Sequence, residues 1–442
     1  MEHLSEEQFL ERELDTRREQ GCDTWELERD LDLARKRPPK ERGQRFARLR
    51  GELEELEPEP DWSYAEPDEL DHIRELRPEG PRSLGAGVDA RTRRDKVRGA
   101  WLGRTAGCLL GKPVEGWNGQ HIRDLLRQRD ACPLDDYWPM PAGGENVELT
   151  REMKRLRRGH IEGAPRDDDM DYTVLALRTV EEHGRGFTSR DVAEKWLMDV
   201  PAARLFTAER IAYGNFLKGI WPPESARDRN PYREWIGARI RGDLWGYICP
   251  GHPEEAAGLA YRDARISHVR NGVYGAMWVA AMNAAAYVTG DPEQLIRIGL
   301  SEIPGECRLS EAVEIVLRWR DEGESAERVL ERIGWRFGDY EMAHSINNAA
   351  IVAAALLWGG GDFTRSVGLA VMGGMDTDCN GATVGSIAGM VAGAETIPSH
   401  WVNPLENRLE TAVAGEGTVP LSDLAERTFE VSHRDKDGVS CR

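Results

Sequence analysis

The chain has 442 residues, of which 40% are hydrophobic and 14 are tryptophan, so it is long enough to bury a large core. Its formal net charge of -19 and pI of about 5.1 argue against the phosphate backbone of nucleic acids as a main partner. The seven cysteines are scattered without a CxxC pair. Because no signal peptide is recognisable at the first residues, MEHLS, we expect a reducing, cytoplasmic environment.

Residues 1–90 differ in composition from the rest of the chain and are predicted to form a charged helical extension that ends in a linker. Apolar residues such as Phe9, Leu10 and Leu14 recur at helical spacing among many Glu and Arg residues. Such a segment either packs on, or regulates, the following domain, or is a solvated appendage without a chemical role, and its charge favours the appendage. Residues 91–442 are predicted to be one large domain.

The predicted domain begins with a helix that carries a row of glycines on one face, which we call a glycine ridge. Gly99, Gly103, Gly107 and Gly111 recur at every fourth position of a predicted helix, so one of its faces carries no side chains. Glu115 follows at the exit of this helix. Glu115 is a candidate catalytic residue, although most glutamates are simply exposed on the protein surface.

Three consecutive aspartates, at residues 167–169, precede an amphipathic helical pattern. One aspartate suffices to cap a helix, whereas three repel one another unless cations or the helix dipole compensate. The cluster therefore favours a cation site over simple capping.

Residues 205–271 are rich in aromatic residues, arginine and glycine, which suit close approach to a ligand that contains a purine. A histidine such as His268 is more often structural, and only its neighbours make it a candidate. The uncharged run at residues 272–290 is predicted to be a buried helix, with a membrane span as the weaker alternative. Few segments alternate with period two, so the predicted fold class is all-α.

A second glycine ridge follows Asp376 and Asp378 in residues 373–394. We expect the two ridges to face each other. A DxD turn at the start of a buried helix suits hard cations, which take oxygen ligands at fixed positions, and capping is the alternative. The two acidic turns are predicted to converge on one binuclear site.

Three stretches together resemble the ADP-ribosylglycohydrolase family, the relatives of dinitrogenase reductase-activating glycohydrolase, over about residues 95–400. They are the glycine-rich helix ending in GKPVE at 111–115, the DDDM cluster at 167–170, and GMDTDC at 374–379. The resemblance implies a helical bundle that holds two divalent metal ions in a central cleft, Mg²⁺ first, with Mn²⁺ or Ca²⁺ as substitutes.

The resemblance also implies roles for individual residues. The metal ligands would be Asp167, Asp168, Asp169, Asp376, Asp378 and Cys379. The catalytic residues would be Glu115, Asp168 and Asp378. The substrate would be bound by Arg241, Gly242, Asp243 and Trp245 in a loop around the pyrophosphate, with His268 and Asn271 lining the same cleft.

Four departures from the family pattern indicate a divergent subgroup. Asp167 and Met170 stand where the family has threonines, and Cys108 stands where its first helix usually has aspartate. Cys379 also replaces a threonine, and a thiol is a softer ligand, which makes Mn²⁺ or Zn²⁺ conceivable.

The expected function is metal-dependent hydrolysis of the C1″ glycosidic bond of a terminal ribose, which removes ADP-ribose from a modified protein or a small molecule. One alternative is a nucleoside or nucleotide N-glycohydrolase on the same fold. The other is a non-catalytic protein that binds ADP-ribose or serves a structural role. Neither nucleic acid nor a membrane is expected as a partner.

Overall fold

The computed structural model describes residues 4–85, 87–139 and 154–433, and this part of the chain is almost entirely helical. It contains twenty α-helices, several 3₁₀ segments and one small sheet, so the predicted all-α class is confirmed. The sheet pairs β1 (Arg408–Glu410) with β2 (Thr418–Pro420) in antiparallel register.

Four helices lie in the N-terminal extension: α1 (Glu6–Glu19), α2 (Trp25–Arg35), α3 (Pro39–Glu54) and α4 (Leu70–Leu76). The helical body begins with α5 (Ala90–Gly111), α6 (Gly119–Gln128), α7 (Asp168–His183), α8 (Ser189–Asp199), α9 (Thr207–Leu217), α10 (Asp243–Tyr247), α11 (Pro253–Ala264) and α12 (Arg270–Ala285). It continues with α13 (Pro292–Leu300), α14 (Arg308–Asp321), α15 (Ala326–Arg336), α16 (Ser345–Gly359), α17 (Phe363–Met372), α18 (Thr377–Ala392), α19 (Ser399–Val402) and α20 (Leu421–Ser432).

The two glycine ridges face each other, as predicted, where α5 packs on α18. A Cβ atom on Gly107 would lie 1.9 Å from the carbonyl oxygen of Gly381, and one on Gly103 would lie 2.2 Å from that of Gly385. Only glycine allows backbones to approach this closely. The contact fixes the end of α5 beside the start of α18, where the Thr377 hydroxyl donates to the carbonyl oxygen of Gly111 at 2.8 Å.

Helix α12 runs through the core, and every residue from Asn271 to Ala285 is buried. The prediction of a buried helix for the uncharged run is therefore confirmed. In the described part of the chain, no helix combines the length and the apolar character that crossing a membrane requires.

The extension has a small hydrophobic core of its own, formed by Phe9, Leu10, Leu14, Leu31, Ala34, Phe46, Leu49 and Leu53. Buried ion pairs attach it to the helical body. Glu13 accepts hydrogen bonds from Arg233 at 2.6 and 2.8 Å, and Arg308 pairs with Glu66 at 2.7 Å and with Glu234 at 2.6 Å. The extension therefore packs against the helical body through these contacts.

Candidate metal centre and cleft

The two acidic turns converge at the exit of α5. Asp167 is the N-cap of α7, and Asp376 precedes α18. One oxygen from each of Glu115, Asp376 and Asp378 lies within 4.8 Å of the others. The fold thus brings together carboxylates that are some 200 residues apart in the chain.

Asp169 joins this group from the α7 side. Ligand atoms of Asp169, Asp378 and Cys379 also lie within 4.8 Å of one another, as do those of Cys108, Asp167 and Asp169. These sets overlap at Asp169 and Asp378 and contain all the predicted metal ligands except Asp168. Of these ligands, Asp168 alone is half-buried, whereas the others are buried.

Asp167 is held by internal contacts on both of its oxygens. One accepts the Asp169 backbone N–H at 3.0 Å, and the other pairs with the Lys112 ammonium. Burial alone would raise the pKa of Asp167, but these contacts keep the pKa below its ordinary value. Asp167 is thus charged and already partly neutralised by Lys112.

The turn before α18 has a backbone that few side chains adopt. Gly374 and Met375 both have positive φ values, 77° and 63°. The strained turn is fixed on both sides, because the Gly116 N–H donates to the Met375 carbonyl at 2.9 Å and the Met375 N–H donates to Trp117 at 3.1 Å. These bonds tie the segment that carries Glu115 to the DxD turn.

Asp376 is buried, and its Oδ1 atom has no hydrogen-bond partner among the described residues. Its backbone N–H, by contrast, donates to Asn348 Oδ1 at 3.2 Å. A buried carboxylate oxygen without a donor is costly unless a cation or a proton compensates. This oxygen indicates that the site is built for a positively charged ligand.

The aspartates of the centre other than Asp167 repel one another. Burial first, and then the neighbouring carboxylates, raise the pKa values of Asp168, Asp169 and Asp376 well above the ordinary value, and burial and Asp167 raise that of Asp378. Divalent cations with oxygen ligands would relieve this repulsion. The donor set therefore fits the metal ions that the resemblance implies.

Glu115 reaches solvent while its carboxylate partners do not. The Asp378 carboxylate, partial burial and Asp167 raise the pKa of Glu115 to about 8, against the opposing effect of Lys112. Solvent screens part of this repulsion. Glu115 is thus the accessible acid of the site, and its pKa is higher than that of an ordinary glutamate.

A cleft of about 990 Å³ adjoins this segment, and Gly116 and Met375, the sequence neighbours of Glu115 and Asp376, line it. Helix α15 and the loop after it form much of the opposite wall. The aromatic and cationic residues that line the cleft as a whole are Trp117, Trp319, Trp335, Tyr340, Arg123, Arg328, Arg332 and Arg336. The Trp335 side chain is 95% exposed, so its ring is free to stack on a ligand.

The predicted substrate-binding loop is not among the residues that line this cleft. Arg241, Asp243 and Trp245 are at most 1% exposed, and Gly242 packs its backbone against Ala276. Arg241 pairs instead with Asp263 at 2.8 Å and with a second buried acid, Glu209, at 3.1 Å.

His268 and Asn271 are likewise buried in the core. The His268 ring nitrogen Nδ1 is bonded to the Ser267 hydroxyl at 2.8 Å. Asn271 donates to Glu234 at 2.8 Å and accepts the Leu309 backbone N–H at 3.0 Å. These contacts satisfy the amide of Asn271 and one ring nitrogen of His268, whereas His268 Nε2 has no hydrogen-bond partner among the described residues.

Asp243 nevertheless supports the site through Arg104. The buried Arg104 guanidinium donates to Asp243 at 2.7 Å and to the Asp169 carbonyl at 2.8 Å. Sequence reasoning missed Arg104, although it is the single charged residue between Gly99 and Gly111 and a buried charge requires a partner. It also missed Lys112 and Asn348, whose partners lie far away in the chain.

Comparison with known proteins identifies the family of the chain. The model of the ADP-ribosylglycohydrolase family matches residues 89–437. An uncharacterised protein of Archaeoglobus fulgidus is 25% identical over 324 residues, which are 71% of this chain and 92% of that protein. A solved structure described as an ADP-ribosylglycohydrolase-related protein complex aligns with a TM-score of 0.48 and 21% identity, over 77% of this chain and 99% of its own. Since the family model covers most of the sequence, the chain belongs to the ADP-ribosylglycohydrolase family.

Proposed function

We propose that this protein is a metal-dependent hydrolase that cleaves the C1″ glycosidic bond of a terminal ribose and so releases ADP-ribose from a modified protein or small molecule. The observation that carries the proposal is the convergence of the turns at Asp167–Asp169 and Asp376–Asp378 beside a large cleft. Family membership supports a glycohydrolase role. The linkage that is cleaved defines the substrate.

Two Mg²⁺ ions are the proposed cofactors, with Mn²⁺ or Ca²⁺ as substitutes. Asp168, Asp169, Asp376 and Asp378 would hold them, and Asp167 contributes less because Lys112 already neutralises it. Bound there, the metals supply a template for the ribose hydroxyls and Lewis acidity. Arg104 and Asn348 keep the two turns in place through the backbone of Asp169 and Asp376.

Glu115 is the proposed proton-transfer residue. Its accessible carboxyl lies beside Asp378, whose charge raises the pKa of Glu115 to about 8 in the metal-free site. When protonated, Glu115 can protonate the leaving group, and after losing the proton it can position or deprotonate water. Asp168 and Asp378 would stabilise positive charge that develops at C1″.

The cleft supplies surfaces for the rest of an ADP-ribose group. Trp335 and Trp117 offer aromatic faces for the base, and the arginines of α15 offer positive charge near a pyrophosphate. These arginines also contact acids of the protein, as Arg332 does with Glu324 at 2.6 Å. Substrate phosphates would therefore compete with internal partners for them.

Product analysis tests the proposal. The full-length protein with Mg²⁺ is incubated with ADP-ribosylated arginine, ADP-ribosylated serine, nucleotides and nucleosides, and the products are separated. Release of ADP-ribose supports the proposal, whereas release of a free base supports a nucleoside or nucleotide N-glycohydrolase. Asp376→Ala should abolish release, and Asp423→Asn, at an exposed acid on α20, should leave it unchanged. Binding of ADP-ribose without turnover of any substrate would identify a binding protein.

A further inference from the structure

The Cys379 thiol lies inside the acidic cluster and not at its edge. Its Sγ atom donates to Asp169 Oδ2 at 3.2 Å, and it lies within 4.8 Å of ligand atoms of both Asp169 and Asp378. All three residues are buried. The site therefore combines one sulfur with carboxylate oxygens from two different helices.

A second sulfur-containing set, Cys108 with Asp167 and Asp169, is less available to a cation. Both Asp167 oxygens are engaged, one by Lys112 and one by a backbone N–H. In contrast, Asp376, two residues before Asp378, is buried and has an oxygen without a partner among the described residues. This unsatisfied oxygen belongs to the set of Glu115, Asp376 and Asp378, which shares Asp378 with the Cys379 set, and it is an independent sign that a cation binds beside Asp378.

We infer that Cys379, with Asp169 and Asp378, ligates a metal ion in this centre and shifts its preference from Mg²⁺ towards cations that favour sulfur, such as Zn²⁺ and Co²⁺. The inference rests on the metal centre of the proposed function. On binding, the thiol loses its proton to solvent, and the sulfur–metal bond replaces the hydrogen bond to Asp169.

The preference follows from ligand chemistry. Mg²⁺ is bound by oxygen ligands and keeps several waters, so a thiolate adds little to its affinity. Zn²⁺ and Co²⁺ accept thiolate together with carboxylate, and a soft ligand selects for them. A site with a hydroxyl in place of Cys379 would lack this selectivity.

Cobalt spectroscopy tests the assignment without depending on turnover. Metal-free full-length protein is titrated with Co²⁺, and the near-ultraviolet charge-transfer band of a cobalt–thiolate bond is recorded. The wild type and Cys132→Ser, a control at an exposed thiol, should both show the band. Cys379→Thr should lose it and bind Zn²⁺ at least about 10-fold more weakly, with Mg²⁺ affinity nearly unchanged.

Two results would overturn the inference: no band in the wild type, or a band that persists in Cys379→Thr, as it would if Cys108 were the sulfur ligand. If Cys379→Thr does not fold, Cys379→Ser replaces it, with the same expectation. Hydrolysis with Mg²⁺ but no cobalt band would refute the sulfur ligand alone. A cobalt band without hydrolysis of any substrate would refute the proposed function and leave this inference standing.

Discussion

Replacing Gly107 by alanine should weaken both the fold and the metal centre. The added Cβ atom would lie 1.9 Å from the Gly381 carbonyl oxygen, and real Cβ contacts essentially never fall below 3.0 Å. The two helices would have to separate by about 1.1 Å, since the obstructing atom is backbone and has no rotamer to change. Such a shift moves α18, and with it Asp378, away from the acids on α7.

The magnitude follows from two opposing terms. Overpacking costs about 1–3 kcal/mol, and the upper end applies where backbone meets backbone. Alanine in a helix is favoured over glycine by about 1 kcal/mol, which offsets part of this cost. We expect a net loss of about 2 kcal/mol in the free energy of unfolding, together with weaker Mg²⁺ binding.

Chemical denaturation and calorimetric Mg²⁺ titration measure the two effects. The matched control is Gly258→Ala on α11, where the nearest atom to an added Cβ is a flexible arginine end at 3.9 Å. This control should be stabilised by up to about 1 kcal/mol through helix propensity. Equal stability changes in the two variants would show that the contact between Gly107 and Gly381 does not hold the metal centre in place.

Two further predictions concern charge. Asp378→Asn removes one of the repelling carboxylates, so the metal-free variant should melt roughly 2 °C above the wild type. Mg²⁺ should no longer raise the melting temperature of this variant. A Mg²⁺-induced rise equal to that of the wild type would contradict a metal site at Asp378. In the folded protein Arg233 keeps the pKa of Glu13 below its ordinary value of 4.5, although burial opposes this, so the stabilisation is fully present above the unfolded pKa and is lost as the pH falls through the lower, folded pKa. Glu13→Gln should cost about 3 kcal/mol at pH 7 and less in acid, measured by urea denaturation, whereas Glu41→Gln in an exposed pair should change stability by less than about 1 kcal/mol.

Features that depend on local spacing could be predicted from the sequence. Glycine at every fourth position implies a bare helix face, and two such faces have an evident way to pack. Three consecutive aspartates before a helix exceed what a cap requires, and the structure places them beside the DxD turn. The helical class and the buried helix α12 follow from periodicity and the lack of charge.

Features that depend on partners distant in sequence could not be predicted. Arg241 and Asp243 look like ligand-binding residues because they lie in a loop rich in glycine and aromatic residues. Only the fold shows that Asp263 and Arg104 neutralise them in the core. The same holds for the extension, whose charge suggested a solvated face until Arg233 supplied a buried partner for Glu13.

Metal-dependent release of ADP-ribose is the most direct test of the central claim. Chelator-treated protein is mixed with ADP-ribosylated peptides in which arginine or serine carries the modification, and free ADP-ribose is quantified before and after Mg²⁺ is added. Release of ADP-ribose is expected only after Mg²⁺ is added, and none is expected from Asp378→Ala. Equal release in the presence of chelator, or undiminished release by Asp378→Ala, would contradict the central claim.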